Sequence, residues 1–299
     1  GELDNGFTVS TTMILVEGAT LSSSNVALTM GGMGTITIGG GLSGVGGGFD
    51  AVTPFAYEEN HDGMATTTAI DSLGSLSDGN SVMYAAPALE LGGATVNITA
   101  GYTPEAGDAV TGEGAVSAQS GNFGSAKTLG AKVSMAGLTA GIFGEEVDGD
   151  TDDNSVSGAS RRGDAMSATW FANYSFGPVS VGYQKAGLDH GINAAATDAT
   201  TAKTIAAAGG FFESEMMSIA FNVNENLSVS YGELTETYNA QSHQTTEIAN
   251  VDMESDSIQF AYTMGSMSIK GYQTETDNPG WDSNANSNTE TEIAVNFAF

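Results

Sequence analysis

Apolar and polar residues alternate with a period of two along most of this chain. In residues 217–224, Met217, Ile219, Phe221 and Val223 alternate with serine, alanine and asparagine. Each such segment predicts a β-strand that presents one apolar face and one polar face. The pattern recurs in about fourteen segments, at 7–16, 25–31, 34–40, 81–89, 94–104, 127–136, 138–147, 164–176, 179–187, 212–224, 227–238, 254–264, 267–277 and 288–299.

The connections between these segments are alternately long and short. The short ones contain residues that suit tight hairpins, as at Gly137, Gly177-Pro178 and Gly265-Ser266. The long ones are 17–24, 41–80, 105–126, 148–163, 188–211, 239–253 and 278–287. This sorting is typical of a transmembrane β-barrel, which has short turns on one side of the membrane and long loops on the other. A soluble β-sandwich also alternates, so the loop sorting and the strand number favour the barrel.

Composition agrees with strands that cross a membrane. No stretch approaches the roughly 20 apolar residues of a membrane-spanning helix. The chain contains 41 glycines but only 5 prolines, and it is rich in residues that favour strands and turns. Because lipid cannot hydrogen-bond to the backbone, only helices and closed barrels span a bilayer. The predicted fold class is therefore all-β, a transmembrane antiparallel barrel whose polar strand faces line a wet lumen.

The charge and the chemistry-bearing residues limit the function. The formal net charge is −29, from 36 acidic and 7 basic side chains, so the chain would repel nucleic-acid phosphates. A salt-adapted soluble surface is the alternative explanation, but the acids concentrate in the long connections. Cysteine is absent and the three histidines lie far apart. No spacing points to a catalytic set, and we predict no enzymatic activity.

One acidic connection resembles a calcium-binding loop. Asp148, Asp150 and Asp152 supply oxygens at alternate positions. However, Asp153 stands where an EF-hand loop needs glycine, and Ala159 stands where it needs a bidentate glutamate. We therefore interpret this segment as a solvated acidic loop that binds Ca²⁺ or Mg²⁺ loosely at most. No other cofactor is predicted.

Several segments resemble the Gram-negative general porins, the trimeric sixteen-strand type, over essentially the whole chain. Residues 34–39, Gly-Thr-Ile-Thr-Ile-Gly, resemble the strand before that family's long third loop, and residues 80–87 resemble the strand after it. Residues 1–9 are similar to the turn into the family's third strand. The end, 295–299, with its terminal Phe299, matches the assembly signal of outer-membrane proteins.

The resemblance implies a single barrel domain over residues 1–299. It implies sixteen antiparallel strands, of which about fourteen are present here and the first hairpin is missing. A complete fourteen-strand barrel is the alternative. It further implies a homotrimer in the outer membrane of a Gram-negative bacterium, in contact with outer-membrane lipid and lipopolysaccharide. Outward aromatic girdles are expected, with Tyr102, Trp170, Tyr174, Tyr262, Phe297 and Phe299 among their members.

The resemblance also suggests that 41–80 is a constriction loop folded into the lumen, rather than a flexible external loop. Its narrowest point is expected at 54–59. Alternation places two lysines on the lumen side of their strands, beside a loop rich in acids. The expected constriction residues are Asp50, Glu58, Glu59, Asp62, Asp71, Lys132 and Lys270.

These features together predict a porin, a water-filled channel for passive diffusion of small hydrophilic solutes and ions. The excess of acids predicts a preference for cations. Two alternatives stay open. One is a substrate-specific outer-membrane channel, which would show saturable block by one solute. The other is a secreted acidic β-rich surface or adhesion protein, which would dissolve without detergent.

Overall fold

The computed structural model describes residues 1–16, 20–40, 45–63, 69–70, 73, 81–104, 123–149, 164–189, 210–240 and 250–298. Strands dominate these residues. Within them, none of the short helical turns is long and apolar enough to cross a membrane. The strands are β1 (Thr8–Val16), β2 (Thr20–Thr29), β3 (Thr35–Gly40), β4 (Ser81–Ala85), β5 (Leu89–Leu91), β6 (Ala94–Thr103), β7 (Phe123–Met135), β8 (Leu138–Gly149), β9 (Ala165–Phe176), β10 (Val179–Asp189), β11 (Gly210–Asn224), β12 (Leu227–Ala240), β13 (Val251–Met264), β14 (Met267–Asp277) and β15 (Asn288–Phe297).

All fifteen strands belong to one sheet, and each pairs antiparallel with its neighbours. The order follows the chain from β1 to β15, except that β4 and β5 both pair with β6. Since β4 and β5 occupy one position, the sheet has the fourteen positions that alternation predicts. Among the described residues β1 and β15 are the two ends of this order and do not pair with each other, so the sheet is open.

Tight turns join the strands at one end of the sheet, as predicted. Met135 pairs with Leu138 across two residues, and Met264 pairs with Met267 in the same way. Gly137 and Gly265 have φ of 86° and 61° in these turns. Two-residue hairpins need such positive φ values, because only the mirror-image turns match the twist of the strands. The short connections therefore stand where the sequence places them.

Several strand ends differ from the predictions by a few residues, and two differences change a predicted element. The predicted strand 81–89 is interrupted, because Pro87 has no N–H to donate to the ladder; the neighbouring Ala86 N–H still donates to the Ile98 carbonyl at 2.9 Å. The predicted long connection 17–24 is wrong, because β2 begins at Thr20 and leaves only 17–19 between strands. Backbone pairing with β1 extends β2 toward its N-terminus, beyond the apolar pattern of 25–31.

The two faces of the sheet differ, as the alternation predicts. One face, here called the outer face, carries large apolar side chains that stay exposed, such as Ile142 at 63% and Ile258 at 60%. Of the predicted girdle aromatics, Tyr102, Trp170, Tyr174 and Phe297 are exposed and Tyr262 is partly exposed, while Phe299 lies outside the described residues. Other exposed residues on this face are Val26, Ile38, Val82, Leu129, Met166, Met217, Ile219, Phe221 and Ile293.

Candidate functional site

Part of the predicted constriction loop lies against the opposite face, which we call the inner face. Its hydrogen bonds join it to strands from β7 to β15, far away in the sequence. The prediction that the long third loop folds inward is therefore confirmed. We call the described residues that do so the inner segment: 45–63, Ala69, Ile70 and Leu73.

Lys132 anchors the start of the inner segment. Its Nζ on β7 donates to the Gly48 carbonyl. The same ammonium lies 4.6 Å from the centroid of the Phe49 ring and 5.8 Å from that of Phe171. A cation over an aromatic face is stabilised by the ring quadrupole. Lys132 thus points inward, as alternation predicts, but it holds the segment to the wall.

Apolar packing surrounds this anchor. The Phe49 ring lies 5.5 Å from Phe143 and 6.1 Å from Phe171, centroid to centroid. Sequence analysis expected the polar face to be wet throughout, which is too broad, because the inner segment covers it with buried side chains. The cluster comprises Val45, Phe49, Ala51, Ile70, Leu73, Phe143, Phe171, Ala186, Met216 and Leu234.

Two glutamines of the wall bind the backbone of the inner segment. Gln184 on β10 accepts from the Val52 N–H at 2.9 Å and donates to the Phe49 carbonyl at 2.6 Å. Gln259 on β13 accepts from the N–H groups of Tyr57 at 3.0 Å and Glu58 at 3.1 Å.

Both glutamine side chains are almost completely buried, at 0% and 2% exposure. A primary amide offers both donors and acceptors, so it can replace the strand partner that a loop backbone lacks. Gln184 also donates to Thr169 at 3.3 Å, and Gln259 donates to the Glu59 carbonyl at the same distance. The two amides therefore fix the path of the segment between them.

Shorter polar side chains complete this attachment. Asn173 donates to the Val52 carbonyl at 2.6 Å, and Ser230 accepts from the Ala56 N–H at 2.9 Å. At the far end, the buried carboxylate of Glu236 accepts from the Ala69 N–H at 2.5 Å. Because buried backbone groups need partners, these contacts allow the segment to lie on the wall without losing hydrogen bonds.

Missing side chains make room for the segment. A Cβ on Gly130 would lie 2.6 Å from the Phe49 ring. In the same way, a Cβ on Gly182 would overlap Pro54, and a Cβ on Gly232 would overlap Asn60. Glycine at these three wall positions therefore lets the inner segment approach the strands closely.

Carboxylates gather where the inner segment reaches the last two strands. Tyr57 donates to Glu292 on β15 at 2.6 Å, and its ring centroid lies 6.3 Å from that of Tyr272. The Lys270 ammonium lies 5.3 Å from the Tyr57 ring. Tyr272 is within electrostatic reach of four carboxylates. We call these four the acidic corner: Glu58, Asp62, Glu290 and Glu292.

The acidic corner keeps the Tyr57 hydroxyl protonated. The hydrogen bond to Glu292, followed by partial desolvation and the negative charges of Glu292 and Glu58, raises the pKa of this hydroxyl far above its usual value. A neutral phenol is favoured beside carboxylates because the phenolate would be repelled. Tyr57 therefore remains a hydrogen-bond donor throughout the physiological pH range.

The predicted constriction residues divide into separate groups. Glu58 and Asp62 both act electrostatically on Tyr272 in the acidic corner, and Lys270 lies over the Tyr57 ring. Asp50 lies at the other end of the segment, between Phe49 and Ala51 of the apolar cluster. Glu59 bonds to Gln259 through its carbonyl. Asp71 lies outside the described residues, and the role of all these residues in a constriction stays a prediction.

Sequence analysis missed the glutamines and two members of the acidic corner. Alternation already places Gln259 and Glu292 on the polar faces of β13 and β15. The sequence carries no sign that these polar positions meet Tyr57 and Glu58, more than two hundred positions earlier. Gln184 and Glu290 were missed for the same reason.

The predicted weak cation loop is only partly described. Asp148 ends up on β8, where it accepts from Ser125 at 2.6 Å and from Lys127 at 3.5 Å. Asp150 and Asp152 lie outside the described residues. In the part of the chain that is described, no group of three acids or histidines is arranged to hold a metal ion. Loose binding of Ca²⁺ or Mg²⁺ stays a prediction.

A second segment enters the sheet from the connection between β14 and β15. Trp281 is 3% exposed, and its ring centroid lies 4.8 Å from Phe212 and 6.5 Å from Tyr238. This apolar group includes one residue of the inner segment. Its members are Ala69, Ala126, Val147, Ala165, Leu188, Phe212, Tyr238, Met253 and Trp281.

The burial of Trp281 is opposed by two local costs. An indole buries roughly 150–250 Å² and gains about 4–6 kcal/mol as an upper estimate. Its backbone has φ of 57°, and a left-handed conformation at a bulky residue costs about 1–3 kcal/mol. Its buried Nε1–H has no acceptor among the described residues, which costs about 1–3 kcal/mol more. The contributions are therefore of similar size.

Comparison with known proteins supports the fold. No family model and no curated protein matches the sequence. A porin structure refined at 1.8 Å is 15% identical, with 98% of this chain and 92% of that chain covered and a TM-score of 0.56. Outer-membrane OmpT of Vibrio cholerae is 11% identical over 93% of this chain and 81% of its own, with a TM-score of 0.54.

A variant of the Rh. blastica porin is similar in the same way. It is 13% identical, covers 100% of this chain and 87% of its own, and has a TM-score of 0.53. This chain has the porin fold. The antiparallel sheet and the short turns at one end of it, described above, agree with this fold. The inner segment lies on the inner face of that sheet.

Removing the Lys132 ammonium should loosen the inner segment. We expect Lys132→Met to destabilise the folded protein by about 2 kcal/mol, because the bond to Gly48 and the cation–π contact are both lost. The temperature at which the barrel loses its compact migration in detergent gels measures this. Lys127→Met is the matched control, since its ion pair with Asp148 is exposed and worth little. Equal losses in both variants would contradict the anchoring role.

Proposed function

We propose that this protein is an outer-membrane porin of a Gram-negative bacterium, a single barrel domain that lets small hydrophilic solutes and ions diffuse passively, and not an enzyme. The observation that carries the proposal is the inner segment, held on the polar face of a porin-fold sheet by Lys132, Gln184 and Gln259. A segment fixed in this way narrows the lumen of a barrel but does not fill it.

The outer face supports a position in lipid. Large apolar side chains project from strand after strand while the inner face is polar or covered. In a bilayer this arrangement satisfies the backbone through strand pairing and the side chains through contact with acyl chains. In a secreted adhesion protein this apolar surface would face water and favour aggregation.

We place the constriction at residues 54–59 of the inner segment, beside the acidic corner. The carboxylates of Glu58, Glu59 and Asp62 would attract cations and repel anions at this point. We propose Asp50, at the start of the segment, and Asp71 as further acids that favour cations. The Lys132 ammonium binds Gly48 and Phe49 at the start of the segment and is not a member of the acidic corner. We therefore propose a preference for cations.

The assembly follows from the family resemblance. We propose a homotrimer embedded in outer-membrane lipid, with lipopolysaccharide around the outer face. The exposed apolar side chains of that face supply surface for both neighbouring copies and lipid. Divalent cations would bridge acidic connections such as the one after Asp148, without a dedicated metal site.

Planar-bilayer recording tests the channel directly. We expect steps of current in groups of three, without saturation by a single solute, and a reversal potential of the cation-selective sign in a KCl gradient. Folded protein that inserts but carries no current would refute the porin proposal. An anion-selective sign would refute the proposed role of the acids alone, and saturable block by one solute would favour a substrate-specific channel.

A further inference from the structure

The connection between β14 and β15 forms a second internal segment at the end of the sheet where the long connections lie. Trp281 from this connection inserts between Phe212 on β11 and Tyr238 on β12. Ala69 of the inner segment belongs to the same buried cluster. Trp281 and the Ala69 end of the inner segment thus belong to one buried cluster with β11 and β12.

The backbone of this connection adopts an unusual conformation. Asn278, Gly280 and Trp281 all have positive φ values, of 50°, 67° and 57°. Asn278 also donates to the Asp252 carbonyl at 2.9 Å. Left-handed backbone at a bulky residue persists only where surrounding contacts compensate for it. Here the compensating contact is the insertion of the indole itself.

The buried indole has one polar group, its N–H, without a hydrogen-bond acceptor among the described residues. A buried tryptophan N–H usually finds an acceptor. Withdrawal of the side chain would return this N–H to water and relax the backbone, at the expense of the apolar contacts. Because the opposing contributions are similar in size, the inserted position is favoured only slightly and the withdrawn position remains accessible.

We propose that Trp281 is a mouth latch that positions residues 278–287 and the Ala69 end of the inner segment, and so controls the width of the pore mouth. With the indole inserted, the connection covers the mouth above β11–β13 and holds the inner segment against the wall. With the indole withdrawn, both segments move away from the lumen. This inference rests on the proposed channel function.

Fluorescence tests the inserted position without any current measurement. The chain has two tryptophans, and Trp170 lies on the outer face at 47% exposure. In a Trp170→Phe background, Trp281 is the sole tryptophan emitter. We expect blue-shifted emission and weak quenching by acrylamide in detergent-folded full-length protein. Quenching as strong as that of a free tryptophan analogue would overturn the latch.

Single-channel recording tests the consequence for the pore. We expect two conductance levels in the parent protein and only the larger level in Trp281→Ala, with a mean conductance raised by about half because the mouth widens. Trp281→Phe keeps an aromatic ring but removes the unpartnered N–H, so it should lengthen the time spent in the smaller level. A change in dwell times is not expected from a residue that merely supports folding.

Trp170→Ala is the matched control, because it removes an indole from the outer face and should leave both levels unchanged. Compact migration in unheated detergent gels confirms that each variant is folded. If the parent conducts and Trp281→Ala gives the same two levels with the same dwell times, the latch is wrong while the porin proposal stands. If the folded parent carries no current, both proposals are wrong.

Discussion

Replacing both Gln184 and Gln259 by alanine should about double the single-channel conductance, because the current through a pore follows the cross-section of its narrowest part. These amides hold the backbone of the inner segment at Val52, Tyr57 and Glu58. Without them, partly buried N–H groups lose their partners, at a cost of up to about 1–3 kcal/mol each. The segment should then leave the wall and regain its hydrogen bonds from water.

Recordings of the double variant should also be noisier, since a detached segment moves in the lumen. Gln273→Ala is the matched control, because Gln273 lies exposed on the outer face of β14 and contacts no part of the inner segment among the described residues. A conservative variant sharpens the test. Gln259→Glu keeps the acceptor for Tyr57 and Glu58 but cannot donate to the Glu59 carbonyl when it is ionised, so we expect an intermediate conductance.

Unchanged conductance in the double variant would contradict the anchoring role of the glutamines. It would mean that the apolar cluster around Phe49 suffices to hold the segment. A triple variant separates these two attachments. It combines Gln184→Ala and Gln259→Ala with Gly130→Leu, which would push the Phe49 ring away. If the current then rises, the apolar contacts dominate the position of the segment.

Removing the charges of the acidic corner should abolish most of the cation preference. The test is one quadruple variant that carries Glu58→Gln, Asp62→Asn, Glu290→Gln and Glu292→Gln. Every side chain keeps nearly its size, and Glu292→Gln keeps an acceptor for Tyr57. Perfect selectivity in a tenfold KCl gradient gives about 59 mV for a monovalent ion. We expect the reversal potential to move toward zero by roughly half of that span, because local negative charge concentrates cations at the narrowest point.

The shift in reversal potential should depend on where the removed carboxylates lie and not on how many negative charges are removed. Glu213→Gln and Glu275→Gln are the controls, since both carboxylates belong to the outer face and are exposed. They change the net charge without touching the acidic corner. Lys270→Gln should act in the opposite direction and strengthen the cation preference, because it removes the ammonium beside Tyr57. A similar shift from the outer-face controls would contradict the acidic corner as the selectivity site.

Much of the barrel could be predicted from the sequence. Two-residue alternation is a local property, so Met217, Ile219 and Phe221 indicate their common face without knowledge of any partner strand. Turn glycines such as Gly137 and Gly265 act locally as well, since the positive φ of a tight hairpin is set by its own two residues. The family resemblance added the inward third loop.

The candidate site could be predicted only in part. Acids of the loop and two inward lysines were recognised, because loop acidity and strand alternation both appear in the sequence. That Lys132 serves the loop, or that Glu292 meets Tyr57, depends on where a long connection crosses the sheet. No periodic pattern records such a crossing.

The sequence by itself determined the strands, their two faces and the turns, because backbone sterics and side-chain alternation act between residues that are close along the chain. Only the tertiary structure decided which polar positions remain on the wall and which are buried beneath the inner segment. In the sequence, Gln184 and Gln259 are polar strand residues like others that face the lumen. Their role as partners for the backbone N–H groups of the inner segment depends on where that segment lies. Trp281 likewise becomes a mouth contact only when Phe212 and Tyr238 meet it, since burial depends on surfaces that folding brings together.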